Sequence, residues 1–266
     1  MNTPTAFVAP ELAIVTGAGR GIGRAIALDL ARHGSEVLCI SKSASCVETV
    51  DKVRCAGGKA DSIQLDLAQY SYVGEPISRW LDRNHARKIA IVLAGGSLGP
   101  SGTLASTHLE DWELAWRTNV LGNLAVVQAC LPRLVANRYG RVLFFAGGGA
   151  AYAYPLFPAY AMTKTALVRV VENLHEDLKT SGDIAVAILA PGAVDTQMLA
   201  TVRQAGGEVR TMVPISEPVA FVRSFVSAPQ CGFSGCFVHV RDAWQPLLEN
   251  AAAIPQKDLW KLRRVE

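Results

Sequence analysis

The 266-residue sequence predicts an α/β fold, a doubly wound and mainly parallel seven-stranded sheet flanked by helices. Three observations carry this expectation. Seven short apolar, β-branched runs recur along the chain, stretches of helical periodicity lie between them, and a glycine-rich turn joins the first run to the first such stretch.

The strand runs cover 12–16, 37–40, 62–65, 89–94, 142–146, 184–189 and 236–240. Most are close to continuously apolar, the pattern of a strand covered on both faces and hence of a parallel sheet. Helices are predicted over 21–33, 47–55, 73–84, 109–137, 158–180 and 217–227. Thr107 and Glu110 have capping-box spacing before the fourth helix, where hydroxyl and carboxylate can take up free backbone donors. Pro132 is expected to kink or break that helix near its end, because it lacks a donor and crowds the preceding turn. No repeat, low-complexity tract or linker divides the chain, so one domain is expected over 1–266.

Half of the residues are hydrophobic and 18% are charged, which suits a large packed interior and argues against disorder. A formal net charge of +3, with no run of five or more Lys and Arg, argues against nucleic-acid and membrane partners. The first ten residues have neither the basic nor the apolar region of a secretion signal, and no long uncharged apolar span follows. A cytoplasmic protein is expected. Cys39, Cys46, Cys55, Cys130, Cys231 and Cys236 form no CxxC pair and the five histidines are dispersed, so no metal site is expected.

Gly17, Gly19, Gly21 and Gly23 lie between the first strand and the first helix, together with Arg20 and Ile22. Glycine here permits a tight turn and a close approach of backbone to a pyrophosphate, with helix-terminal N–H groups aimed at it. At the end of the second strand an acid would hold a ribose 2′-hydroxyl and repel a 2′-phosphate. The sequence instead has Ser41 and Lys42, and Arg20 lies in the turn, so NADP(H) is favoured over NAD(H). Asp66, followed by Leu67 after the third strand, could accept from an adenine amino group or cap the next helix.

Joined to Tyr160-Ala161-Met162-Thr163-Lys164, the glycine turn makes the sequence resemble the short-chain dehydrogenase/reductase family over residues 10 to 241. The matching pieces are Thr16 through Gly23, Asp66, Ala94 with Gly95, Asn119-Val120-Leu121-Gly122, Tyr160 with Lys164, and Pro191-Gly192 followed by Thr196. The resemblance implies a Rossmann-like fold and interconversion of a carbonyl and a secondary alcohol by hydride transfer. Tyr160 would be the general acid/base, Lys164 would hold the nicotinamide ribose, and Asn119 would support a proton relay to the lysine. Nucleotide contacts would come from the glycine turn, Ser41, Lys42, Asp66, Leu67, Ala94, Gly95, Tyr160 and Lys164. Pro191, Gly192, Val194 and Thr196 would close over the nicotinamide. The family also implies a homodimer or homotetramer formed through 109–137 and 158–180.

Tyr160 and Lys164 are four residues apart and so share a helix face, where the ammonium is expected to stabilise a phenolate. One departure stands out. Thirteen residues before Tyr160, where the family has a substrate-orienting serine, the residue is Gly147, and Ala146 to Ala150 carry no hydroxyl. A lost donor to a developing oxyanion costs roughly 3 to 4 kcal/mol of transition-state stabilisation. A backbone N–H of the run containing Gly147 and Gly148 could donate instead, Tyr152 or Tyr154 could reach in, or turnover could be gone. A substitute donor is the favoured expectation. The alternative is a noncatalytic NADP(H)-binding regulatory or scaffold protein.

The segment 197–214 is the expected substrate lid. Its Arg203, Glu208 and Arg210 either favour a polar or anionic substrate or are solvated loop charges. Trp112 and Trp116 belong either to an oligomer contact or to the core. Residues 241–266, which include Leu259, Trp260, Arg263 and Arg264, depart from the family's short ending. They could cover a neighbouring subunit, the substrate cleft or their own domain.

Overall fold

The computed structural model describes residues 8–209, 211–228, 234–249 and 261–262. In chain order the elements are β1 (Leu12–Thr16), α1 (Gly21–Arg32), β2 (Glu36–Ser41), α2 (Ser45–Cys55), β3 (Ala60–Gln64), α3 (Gly74–Leu81) and β4 (Ile89–Leu93). Next come α4 (Leu109–Trp116), α5 (Gly122–Asn137), β5 (Tyr139–Phe145), α6 (Pro158–Leu178) and β6 (Asp183–Ala190). The last are β7 (Ala193–Val194), α7 (Gln197–Gln204), β8 (Met212–Val213), α8 (Ser216–Ser227), β9 (Cys236–His239) and α9 (Gln245–Glu249).

Seven strands form one parallel sheet in the order β3-β2-β1-β4-β5-β6-β9, the Rossmann-like arrangement expected from the sequence. Both faces are apolar because successive side chains of a strand point to opposite sides. In β1, Ala13 and Val15 join the layer with α1, α2 and α8, whereas Leu12 and Ile14 join the layer with α3, α5 and α6. Burying each large aliphatic side chain of this kind stabilises the fold by about 1.5 to 3 kcal/mol. In α1, Ile26, Ala27, Leu30 and Ala31 form the buried stripe, and Gly34 at φ +101° lets the chain leave the helix in the left-handed region.

The fourth predicted helix differs from expectation at both ends. Its N-cap residue is His108, and Thr107 is not a cap: its hydroxyl donates to the Thr103 carbonyl at 3.0 Å and accepts from the Trp112 indole at 2.9 Å. The reciprocal capping pair is Thr103 with Ser106, one turn earlier. Pro132 sits inside α5, which continues unbroken to Asn137. Pro132 and Gln128 are both exposed, so the carbonyl that loses its N–H partner faces water. The irregularity falls instead at Arg117–Leu121, a π-helical turn between α4 and α5. Leu109–Asn137 as a whole is long and apolar enough to cross a membrane, but it packs here against α3, α6 and the sheet.

Trp116 packs on the monomer's own core. Beyond β9, Trp244 meets Phe221 edge to face at 4.9 Å and Leu248 joins the same layer. Leu262 receives a bond from Arg169 and donates its N–H to Glu172, both on α6. The described parts of the C-terminal segment therefore pack on their own chain. Cys231, Arg210 and residues 250–260 and 263–266, with Leu259, Trp260, Arg263 and Arg264, lie outside the described residues.

Candidate active site

The strand order reverses between β1 and β4, which opens a crevice beyond their carboxyl ends. The glycine turn enters it from β1, and Ala94 and Gly95 enter from β4. Gly17 (φ +66°) and Gly21 (φ +54°) occupy the left-handed region that side chains resist. A Cβ on Gly17 would stand 2.9 Å from the Ala94 carbonyl carbon, and one on Gly23 would stand 2.4 Å from the Gly17 carbonyl oxygen. Arg20 is the N-cap residue of α1 and its side chain makes no capping bond. The crevice thus has backbone donors, the positive end of a helix dipole and a floor stripped of side chains. These residues fit a dinucleotide pyrophosphate. Ile22 packs beneath the turn, and Leu67 covers Gly95 and Gly122, where an added Cβ would come within 2.8 and 2.3 Å of it.

Arg20 and Lys42 each engage an oxygen of their own. Arg20 donates to the Gln197 side chain at the start of α7, and Lys42 pairs with Asp66 at 2.9 Å. The other Asp66 oxygen accepts from the Ala68 N–H at 3.0 Å, closing a local turn and not capping α3. Burial pushes the Asp66 carboxyl up, but the Lys42 and Ala68 bonds outweigh it and leave the group below its ordinary value. The Ser41 hydroxyl donates to the Ser43 carbonyl at 2.6 Å.

The helix α6 presents Tyr160, Thr163 and Lys164 on its buried face. Lys164 Nζ donates to the Phe145 carbonyl at 2.7 Å and lies 5.4 Å from the Tyr160 ring centre. Asn119 is fully buried within the π turn, whose extra width re-aims the residues it carries. Its amide donates to the Ser97 carbonyl at 2.9 Å and to Thr163 Oγ1 at 3.0 Å, while its oxygen accepts the Ser97 N–H at 2.8 Å. Thr163 in turn donates to the Tyr160 carbonyl at 2.8 Å. Asn123 extends the chain of bonds by donating to the Asn119 and Gly95 carbonyls, and Thr16 donates to Asn123 while accepting from Gly95. One continuous network runs from the root of the glycine turn to Tyr160.

Burial, followed by the neighbouring Tyr154, raises the Tyr160 phenol well above its ordinary value. The expectation that Lys164 would lower it is corrected, because the desolvation of both groups dominates. Burial also draws the Lys164 ammonium down to about 8. Tyr160 accordingly keeps its proton at neutral pH.

At Gly147 the backbone is extended, so no left-handed strain requires glycine there. Space does. An added Cβ would lie 2.4 Å from the Tyr160 hydroxyl oxygen, whereas one on Gly148 would meet nothing within 4 Å. Tyr154 packs with Phe157, Tyr160 and Val202, and burial raises its phenol. Tyr152 is 80% exposed and is not brought to this cluster.

The predicted lid is more ordered than a loop. β7 pairs with β8, with α7 between them, and Gly192 at φ +71° lets the chain pass under Val213. Pro191 is buried just before this glycine. Thr196 Oγ1 donates to the Val194 carbonyl and accepts the Leu199 N–H, each at 3.3 Å, and so caps α7. Arg203 reaches Met212 Sδ, and Glu208 is exposed. A cleft of about 510 Å³ lies between the glycine turn, the segment 96–100, α4 and α7. Ser97 and Gln197, which line it, were not among the expected site residues. Their only sequence signal is adjacency, just beyond Ala94-Gly95 and just after Thr196. Asn123 carried a clearer one, its i,i+4 spacing from Asn119.

A pyrophosphate-fitting turn and a buried Tyr–Lys pair at the switch point of a Rossmann-like sheet define a nucleotide-binding oxidoreductase. The family model for short chain dehydrogenase matches residues 11–206, and the chain belongs to that family. It is 27% identical over 262 residues to a short chain dehydrogenase of Pseudocercospora fijiensis, covering 91% of this chain and 83% of that protein. It is 29% identical over 210 residues to an NADPH-dependent aldehyde reductase-like chloroplastic protein of Arabidopsis thaliana, covering 74% and 77%. In fold it is similar to a putative NAD(P) dependent gluconate 5-dehydrogenase from Beutenbergia cavernae, crystallised with bound NADP. The TM-score is 0.80 at 24% identity, with 88% of this chain and 96% of that one covered.

Proposed function

We propose that the protein is an NADP(H)-dependent oxidoreductase that interconverts a carbonyl and a secondary alcohol. The observation that carries this reading is the bonded network joining Asn119, Thr163 and Tyr160 beside a buried Lys164, at the same sheet edge as the glycine turn. The nicotinamide, when bound, supplies or takes up the hydride. Tyr160, protonated at neutral pH, donates its proton to the carbonyl oxygen as charge develops there, and the reverse reaction returns it. Lys164 places a positive charge beside the phenol and stabilises the phenolate that proton transfer leaves. Asn119 ties the Ser97 backbone to Thr163, the residue before Lys164. With no side chain at Gly147, the second donor to the oxygen is the Tyr154 hydroxyl, packed in the Tyr160 cluster.

Lys42 is 75% exposed at the end of β2, and no acid follows that strand, which supports a 2′-phosphate over a free 2′-hydroxyl. The named NADPH dependence of the Arabidopsis relative is consistent with this choice. Side-by-side fluorescence titrations with NADPH and NADH, on the protein and on Lys42→Ala, test it. Tighter NADPH binding that weakens in the variant is expected. Equal binding of the two nucleotides would overturn the cofactor choice, and substrate-dependent NADPH oxidation that survives Tyr160→Phe would overturn the assigned proton donor.

A further inference from the structure

Resting on the redox reading above, we infer that the site takes an uncharged, apolar carbonyl compound of the aryl or alicyclic kind. The surroundings of the Tyr160 hydroxyl carry the inference. Phe157 and Val202 are buried against the Tyr160 ring, and Leu98, Leu156 and Ala205 complete the wall. The wall is built from three separate parts of the chain: the segment after β4, the approach to α6 and the lid helix α7. Its apolar character therefore does not follow from one helix face.

The lid is folded onto this wall. A Cβ on Gly207, just beyond α7, would stand 2.5 Å from Val202 and 3.1 Å from Leu156, so the lid's carboxyl-terminal turn is pressed against the same apolar residues. Leu98 belongs to this wall and also lines the 510 Å³ cleft, so wall and cleft meet at that residue. The volume lies within the range of small-molecule sites.

The charges nearby do not prepare the site for an anion. Arg20 stands in the cleft but donates to Gln197, and Lys164 is buried and donates to the Phe145 carbonyl. The acid in the cleft lining, Asp111, opposes a negative substrate. Arg203 reaches Met212 and Glu208 is exposed, so the two described lid charges are outside the wall. A carboxylate placed against Leu98, Phe157 and Val202 would lose its hydration to an apolar surface. A polyhydroxylated substrate would meet the same apolar surface at Leu98, Phe157 and Val202, because the polar side chains of the cleft, Arg20, Ser97, Asp111, Gln197 and Thr201, are not part of that wall.

A matched pair of probes tests this. Phenylacetone and phenylpyruvate share an aryl ring and a ketone and differ in a methyl against a carboxylate; dihydroxyacetone serves as the neutral polar probe. Calorimetric titrations use the full chain saturated with whichever nicotinamide nucleotide it binds. Phenylacetone is expected to bind at least tenfold more tightly than either other probe. Leu98→Arg is expected to narrow the phenylacetone-to-phenylpyruvate ratio at least tenfold with nucleotide affinity unchanged, and Leu98→Asn serves if the arginine variant does not fold. Equal or tighter binding of phenylpyruvate or dihydroxyacetone, or no binding of phenylacetone, overturns the inference. NADPH oxidation is followed in parallel. A binding preference for phenylacetone without turnover sinks the redox reading and leaves the substrate class standing, whereas turnover that favours phenylpyruvate does the opposite.

Discussion

The Cβ that Gly147 lacks would lie 2.4 Å from the hydroxyl oxygen of Tyr160. The glycine is therefore complementary to the position of the tyrosine. A serine at this position would have to displace the Tyr160 hydroxyl or its own backbone.

Gly147→Ser is accordingly expected to harm the enzyme. Overpacking costs about 1 to 3 kcal/mol of stability. Displacement of Tyr160 lowers kcat/KM about tenfold or more, equivalent to at least ~1.4 kcal/mol. Thermal melts and steady-state kinetics on the variant check both, and a gain in kcat would show that the site retains room for the hydroxyl.

Tyr154→Phe and Tyr152→Phe separate the substitute donors. Tyr154 packs in the Tyr160 cluster and Tyr152 is in solvent. Removing the Tyr154 hydroxyl should lower kcat on the order of a hundredfold. The exposed Tyr152→Phe should change it by no more than about twofold. Equal small effects in both variants would leave the oxygen to backbone donors of the Gly147 run.

The depressed Lys164 pKa makes activity and stability diverge with pH. The folded group titrates at about 8 against an ordinary 10.5. Between those values the unfolded chain holds more protons, so this group's contribution to stability rises with pH across that window. Carbonyl reduction needs the ammonium and should decline as pH rises through about 8. Lys164→Met should abolish the decline along with most of the activity, while its melting temperature stays equal to or above that of the parent. A strongly destabilised Met variant would contradict the account.

Gly17→Ala tests the cofactor end. A side chain at φ +66° costs about 1 to 2 kcal/mol. The added methyl also meets the Ala94 backbone at 2.9 Å. Nucleotide binding should weaken at least tenfold in a fluorescence titration while the far-ultraviolet circular dichroism is retained.

The parallel strands and the pairing of Tyr160 with Lys164 were legible because they follow from local pattern. Continuous apolar runs specify buried parallel strands, and an i,i+4 spacing puts two side chains on one helix face. The break in the helix after α4 was not legible. Pro132 is the residue that signals a kink, yet it lies where water can satisfy the freed carbonyl, and the π turn at Arg117–Leu121 has no proline or glycine to mark it. The same limit applied to Thr107, whose hydroxyl was taken by Trp112 and Thr103 before it could cap α4.

By itself the sequence determined the Rossmann-like sheet, the glycine turn and the positions of Asn119, Tyr160 and Lys164, since each depends on residue type and spacing along a short stretch. Tertiary structure decided what those residues became. Burial, and not their proximity, set the direction in which the Tyr160 and Lys164 pKa values moved. The partners of Arg20 and Lys42 came from α7 and from the turn after β3. The apolar wall of Leu98, Phe157 and Val202 exists only once three distant segments meet. Desolvation and side-chain partnership depend on what the fold places within a few ångströms, and no spacing along the chain contains that information.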